Sequence, residues 1–255
     1  MITKNELKYY SSLLQKKYRV KERKFLVEGR KLIPEAIDAG FFAEKVFYTF
    51  AFSEEDEKFI RDLRKNSIEC IQLKAPEFER LCDTSSPQGI LAVFKNPSKN
   101  YTLAKLPPKC VALENISDPG NLGAILRICD WFGFSDVILN QNCAEIFNPK
   151  TIRGSAGSVF RLKIHFPGEF YEALSEIKTK GYKLINTDTG GENVLDFNFP
   201  RKAVLVFSNE GHGPSNEVNA ISDITVGIPG TGKTESLNVS VAAGIILSRL
   251  FNSGL

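Results

Sequence analysis

Polar and apolar positions along this chain follow helical and strand periods in turn, and the switches between them mark out its elements. Thr3 and Glu6 have capping-box spacing, and Leu7, Tyr10, Leu14 and Tyr18 follow at helical intervals, which predicts an N-terminal helix. Residues 24–28 (KFLVE) read as a strand, followed by a helix that ends near Gly40. A strand at 45–50 (KVFYTF), a charged helix at 54–65, a strand at 68–73 (IECIQL), a short helix at 76–81 and a strand at 88–95 (QGILAVFK) complete this series. Strands alternating with helices predict a small α/β domain over residues 1–95.

Residues 96–108 (NPSKNYTLAKLPP) are polar and proline-bearing and read as a linker. The alternation then restarts, predicting a second α/β domain over 109–255. Strand 110–114 leads to a loop and helix at 115–133, and strand 136–139 follows. Residues 148–160 (NPKTIRGSAGSVF) read as a short helix opening into a small-residue turn. Strand 161–166, helix 168–180, strands 182–187 and 202–207, a short helix near 215–220 and strand 223–228 lead to the last helix. That helix, 237–251 (LNVSVAAGIILSRLF), is apolar almost all the way round, the pattern of a buried helix. Ser236 and Asn238 stand where it begins, so their side chains either cap its first amides or face a ligand.

Charge adds an asymmetry. The chain of 255 residues has a net charge of +3, yet residues 1–31 hold ten Lys or Arg against three Glu. A basic arm on a near-neutral body suits a polyanion such as RNA, and equally a solvated helix face. Five cysteines without a C-x-x-C pair suit buried thiols in a reducing cytoplasm. Two histidines, His165 and His212, rule out a histidine-rich metal site and leave a Ser–His–Asp triad without support. No apolar run reaches membrane-spanning length, and the N-terminus lacks a signal peptide's apolar core. A cytoplasmic protein with no membrane and no metal is expected.

Three stretches carry candidate chemistry. In residues 114–133, Asp118-Pro119-Gly120 is turn chemistry, with Asn121, Gly123 and Arg127 following. Asn121 and Arg127 are six residues apart and do not share a helix face, so a common site requires Asn121 to act from the loop or first turn. In residues 203–213 (AVLVFSNEGHG), an apolar strand ends at Ser208 and runs into a Gly-rich turn with Glu210, Gly211 and His212; strand C-termini are where α/β sheets bind ligands. Residues 227–234 (GIPGTGKT) satisfy the phosphate-loop pattern G-x-x-x-x-G-K-[ST]. Only 21 residues follow Thr234, so an acidic magnesium-holding strand would have to lie upstream, in an unusual order.

Taken together, the three stretches resemble the signature motifs of the SpoU/TrmH family of RNA ribose 2′-O-methyltransferases, in the SPOUT superfamily. Asn115 to Arg127 matches N-x-x-D-P-x-N-x-G-A-x-x-R, Ser208 to Gly213 the second motif, and Ile228 to Ala242 the third. The N-terminal domain, with KFLVEG at 24–29, is similar to the family's accessory substrate-binding domain. The resemblance implies S-adenosylmethionine as cofactor, a homodimer, and a deep trefoil knot in the C-terminal SPOUT domain. By motif position it names Asn121, Arg127, Glu210, Ser236 and Asn238 as active-site residues. Thr187, Ser208, Gly211, Ile228 and Leu237 become cofactor contacts, and the turn at 228–234 cradles that cofactor rather than a triphosphate. Two positions depart from the family pattern: Ser208 replaces a usual Gly, and Gly230 a frequent Met.

The reaction implied is in-line methyl transfer from a sulfonium to a ribose hydroxyl. The hydroxyl needs a base or a positive field. Arg127 either stabilises the developing alkoxide or, with a bound phosphate as the alternative, accepts its proton, in its own subunit's site or the partner's. The expected substrate is structured RNA, ribosomal first and transfer RNA second. Two other classes compete with this reading, a phosphate-loop NTPase and a non-catalytic RNA-binding assembly factor.

Overall fold

The structure, a computed structural model, describes residues 2–97, 103–209, 211 and 213–253. It comprises two compact units, one of Met1–Lys99 with Phe147–Phe160, the other of Asn100–Ile146 with Arg161–Leu255.

The first unit begins with α1 (Lys4–Ser12) and α2 (Lys16–Glu22). The capping box forms: Thr3 accepts the Glu6 amide at 3.2 Å, and Glu6 accepts the Thr3 amide at 2.9 Å. The expected single helix is broken before Gln15. Arg19, buried, turns back from α2 and donates to the carbonyls of Leu13 at 2.8 Å and Leu14 at 2.7 Å, groups left open where α1 ends. β1 (Lys24–Glu28), α3 (Leu32–Asp38) and β2 (Ala43–Thr49) follow. The charged helix is also two, α4 (Phe50–Glu55) and α5 (Glu57–Lys65), because Asp56 closes the first and accepts the Phe59 amide to cap the second. β3 (Glu69–Leu73), α6 (Ala75–Glu79) and β4 (Ile90–Lys95) complete a sheet of order β1-β4-β2-β3, with only the β2–β3 pair parallel.

The second unit contains β5 (Lys109–Glu114), α7 (Pro119–Trp131) and β6 (Asp136–Leu139). Two short helices, α8 (Pro149–Gly154) and α9 (Ser158–Arg161), come next, separated by left-handed residues Ala156 and Gly157. β7 (Lys163–His165), α10 (Phe170–Thr179), β8 (Lys183–Asn193), β9 (Ala203–Ser208), α11 (Asn216–Ile221), β10 (Ile224–Gly227) and α12 (Val239–Asn252) end the chain. Its six strands are all parallel, in the order β10-β8-β9-β5-β6-β7. β5 and β9 are buried along their whole length, as central parallel strands are.

The segment 147–160 belongs to the first unit although it is encoded in the middle of the second. Phe147 stacks on Phe25 of β1 at 4.2 Å, and Phe160 meets Phe41 edge-on at 5.2 Å. Arg153 forms an ion pair with Asp83. The sequence pattern placed this stretch with its chain neighbours; the aromatic contacts place it elsewhere. All five cysteines are free thiols, three buried and two half-buried. Burial pushes Cys143 up to about 11 and Cys82 up to about 12.

Candidate active site

The C-terminal ends of β5, β6 and β9 are tied together by three asparagines. Asn115 follows β5 with a left-handed φ of 57°, a conformation Asn tolerates better than other non-glycine residues. Its amide donates to Asn140 Oδ1 at 3.0 Å, and Asn140 Nδ2 donates to Asn115 Oδ1 at 2.7 Å. Asn209 Nδ2 donates to the Asn115 carbonyl at 3.2 Å, and the Gly211 amide donates to Asn209 Oδ1 at 2.8 Å. The turn after β9 is therefore anchored to the end of β5.

One residue earlier, Glu114 is fully buried. It accepts from Ser208 Oγ at 2.8 Å, Tyr171 Oη at 2.8 Å, Ser215 Oγ at 2.5 Å and the Ser215 amide at 3.2 Å. A buried carboxylate is tolerated only with such a donor set. Burial pushes the Tyr171 phenol above its ordinary value, the bond to Glu114 adding to this and the contact with Ser215 opposing it. The hydroxyl of Ser208, where the family pattern has Gly, is thus directed to Glu114.

A cleft of about 470 Å³ opens along the ends of β9 and β10 and the middle of β8. Thr187, Ser208, Ile228, Ser236 and Leu237, all named from sequence, line it. Phe207, Val226, Val239 and Ile246 give it an apolar floor. Thr187 Oγ1 donates to the Val206 carbonyl at 3.0 Å. Gly230 also lines the cleft, and a Cβ added there meets nothing within 4 Å, so crowding does not require the glycine. The volume and the lining, apolar with a few polar groups, fit a nucleoside-sized ligand such as S-adenosylmethionine.

Ser236 and Asn238 divide the two roles open to them: Ser236 lines the cleft, and Asn238 caps α12. Asn238 Oδ1 accepts from the Ser240 amide at 2.9 Å, Ser240 Oγ at 2.6 Å and the Val241 amide at 3.4 Å. Its Nδ2 donates to Asn121 Oδ1 at 3.0 Å. Asn121 lies in the first turn of α7, where its own amide donates to the cap residue Asp118 at 2.9 Å. The first and third stretches thus meet helix start to helix start. Arg127 lies on α7, exposed, and makes no hydrogen bond or ion pair among the described residues. Gly211 is not among the cleft residues, and Glu210 lies outside the described residues, as does His212.

The last helix is not buried all round. α12 covers Val239, Ala243, Ile246, Leu247 and Leu250, while Val241, Ile245 and Phe251 are exposed, because α7 and the sheet cover only one side. Sequence reading also missed Asp188 and Thr189 in the cleft wall. Their signal was the Gly190-Gly191 pair, separated by four residues from the apolar Leu184-Ile185, a mark of a bulge rather than a strand end.

The phosphate-loop reading fails on geometry. Such a loop presents its Lys-Thr at the first turn of a helix, whose amides hold the phosphates. Here Lys233 and Thr234 lie in an irregular turn, and α12 begins only at Val239. The charged residues described in the cleft lining are Asp188 and Glu235, both acidic, which repel a polyphosphate.

A parallel α/β domain with a nucleoside-sized cleft at its strand ends, walled by a Gly-rich turn, defines a cofactor-binding catalytic unit. Residues 108–248 match the SpoU rRNA methylase family, and residues 4–92 match an MRM3-like substrate binding domain. The chain belongs to the SpoU rRNA methylase family. It is 30% identical over 246 residues to the 23S rRNA (guanosine(2553)-2′-O)-methyltransferase RlmP of Bacillus subtilis, covering 96% of this chain and 95% of that one. Among solved structures it is similar to the SpoU methyltransferase AviRb of Streptomyces viridochromogenes in complex with AdoMet, at 26% identity, TM-score 0.86 and 98% of each chain. An AdoMet-bound rRNA methyltransferase of Sinorhizobium meliloti matches at 26% identity and TM-score 0.86, over 100% of this chain and 97% of that one.

Proposed function

We propose that this protein methylates the 2′-hydroxyl of a ribose in ribosomal RNA, using S-adenosylmethionine. The observation that carries the reading is the Asn121–Asn238 hydrogen bond, which joins two motifs 117 residues apart. When bound in the cleft, the cofactor supplies an electrophilic methyl group on a sulfonium. Asn121 and Asn238 orient the groups between cleft and RNA, and Ser236 presents a hydroxyl at the cleft wall. Arg127, unengaged by described neighbours, is available to the reacting ribose, where a guanidinium stabilises the developing alkoxide. Orientation alone contributes about 7–11 kcal/mol at best.

The finer architecture follows the same reading. The active form is a homodimer built on α7 and α12: Trp131 is 82% exposed, and Val241, Ile245 and Phe251 are uncovered in the single chain. Arg127 and Trp131 are four residues apart on α7, so the arginine lies beside that interface, within reach of either subunit's site. The chain after β10 forms a trefoil knot; in support, β10 is the edge strand beyond β8, yet α12 packs on α7 and β9. Residues 1–95 select the RNA, residues 96–108 connect, and 109–255 carry the chemistry. Of the ten cations in residues 1–31, Arg19 is buried, and Lys24, Arg30 and Lys21 pair with Glu44, Asp56 and Glu22, leaving six exposed and without an ion pair among the described residues for phosphates. The protein works in the cytoplasm; among the described residues no helix is long and apolar enough to cross a membrane and no metal-binding cluster occurs.

The test is to map 2′-O-methyl positions in RNA from cells with and without the protein. One ribosomal position is expected to lose its methyl group and regain it with purified protein and S-adenosylmethionine. Loss in transfer RNA instead moves the substrate, and no loss in any RNA overturns the reading.

A further inference from the structure

Among the described residues the cleft's charged side chains are of one sign, and the main chain is bent to place one of them there. β8 pairs with β10 as far as Asn186 and Thr225, and pairing resumes at Glu192 and Val226. Thr225 and Val226 are consecutive, so residues 187–191 of β8 bulge out of the ladder, without pairing partners on β10. Two glycines hold the bulge shut. A Cβ on Gly191 would lie 2.4 Å from the Val226 carbonyl carbon, and one on Gly227 2.5 Å from the Asp188 carbonyl oxygen. Both distances are inside van der Waals contact with main chain, so neither position accepts a side chain. The Asp188 backbone is thereby pressed against Gly227, which, with its neighbour Ile228, forms the cleft wall. Asp188 is exposed in that wall, with Oδ1 accepting the Thr189 amide at 2.7 Å. Glu235 is the other charged side chain there, and no Lys or Arg is among the described lining residues.

Resting on the methyltransferase reading, the geometry points to Asp188 as the residue that distinguishes fresh cofactor from spent cofactor by charge. During transfer the sulfur–methyl bond breaks and its electron pair remains on sulfur. The methyl carbon bonds to the ribose oxygen, whose proton leaves to solvent or a base. Sulfur thus passes from a sulfonium cation to a neutral thioether. S-Adenosylmethionine, with its ammonium, carboxylate and sulfonium, has a net charge of +1; S-adenosylhomocysteine has none. A carboxylate in the wall attracts the first more than the second, favouring exchange of product for cofactor. For a solvent-exposed carboxylate this preference is about three- to tenfold in affinity. An acid with only a turn-forming role has no such preference, because its hydrogen bond to Thr189 does not depend on the ligand.

Calorimetry on the full-length protein tests this with both ligands, for wild type and Asp188→Asn, across a salt series. The asparagine keeps an oxygen for the Thr189 amide and removes the charge. The expected result is a loss of about three- to tenfold in S-adenosylmethionine affinity, with S-adenosylhomocysteine changed less than about twofold. The wild-type ratio of the two affinities is expected to decline as salt rises. Equal losses for both ligands, or an unchanged ratio, overturn the assignment. A wild-type ratio insensitive to salt overturns it without any variant, should Asp188→Asn fail to fold. Wild-type protein that binds neither ligand refutes the methyltransferase reading itself, a separate outcome.

Discussion

Asn238 Nδ2 donates to Asn121 Oδ1 at 3.0 Å, while the same Asn238 amide group, through Oδ1, caps α12. One side chain therefore starts a helix and holds the first turn of another. The two residues separate by mutation. Asn121→Ala leaves the cap of α7 intact, since Asp118 accepts a backbone amide there, and is expected to cost less than about 1 kcal/mol of stability. Asn238→Ala removes the α12 cap and is expected to cost about 1–2 kcal/mol. Methyl transfer should fall by tenfold or more in each, and the double variant should lose little beyond the worse single one. Denaturant melts and transfer assays on all three check this; additive losses in rate would show that the two act separately.

Arg127→Ala is expected to abolish transfer with melting temperature and cofactor affinity close to wild type. The side chain is exposed and makes no hydrogen bond or ion pair among the described residues, so no such native bond is lost. Retained turnover at saturating RNA would remove Arg127 from the reaction.

Ser208→Ala is expected to lower stability by about 1–3 kcal/mol, because Glu114 is left buried with one donor fewer. Cofactor affinity should change by less than about threefold, since the hydroxyl faces Glu114. A large affinity loss at unchanged stability, read by calorimetry and melting, would mean that the hydroxyl serves the ligand instead.

Asp223, just before β10, binds the Leu184 amide of β8 through a bond that acid weakens. Burial pushes its carboxyl up, but the Leu184 amide at 2.9 Å and the ammonium groups of Lys183 and Lys178 outweigh this and hold it below its ordinary 3.8. A folded-state value below the unfolded one contributes stability that is present above 3.8 and lost as pH falls through the folded value. Solvent screens the ion pairs of this exposed residue, so Asp223→Asn should cost at most about 1 kcal/mol at pH 7, and the difference should vanish in strong acid. Melting curves against pH measure it; a difference that persists at low pH would assign the effect to packing.

Much of this was readable from local pattern. The Thr3–Glu6 cap, the strand at 24–28 and the strands of the second sheet follow from short-range spacing. Five residues that the resemblance named, Thr187, Ser208, Ile228, Ser236 and Leu237, line one cleft. What escaped depends on partners distant in sequence. Nothing near Arg19 shows that it turns back onto Leu13 and Leu14, which splits the first helix. The Asp188 bulge requires knowing that β10 pairs beside β8. The open side of α12 has a fully buried helix's sequence, because apolar pattern reports that a face is covered and not by which chain.

The aromatic contacts of Phe147 and Phe160 also impose an order on biosynthesis. A ribosome releases residues 1–97 well before residue 160, so the emerging first unit lacks the rings that close over Phe25 and Phe41. About sixty further residues must be added, roughly 3–12 s at the usual ~5–20 residues per second. Through that interval the nascent chain presents apolar surface to the cell, and the first strands of the second unit are made before the first unit is finished. The two units therefore cannot mature one after the other.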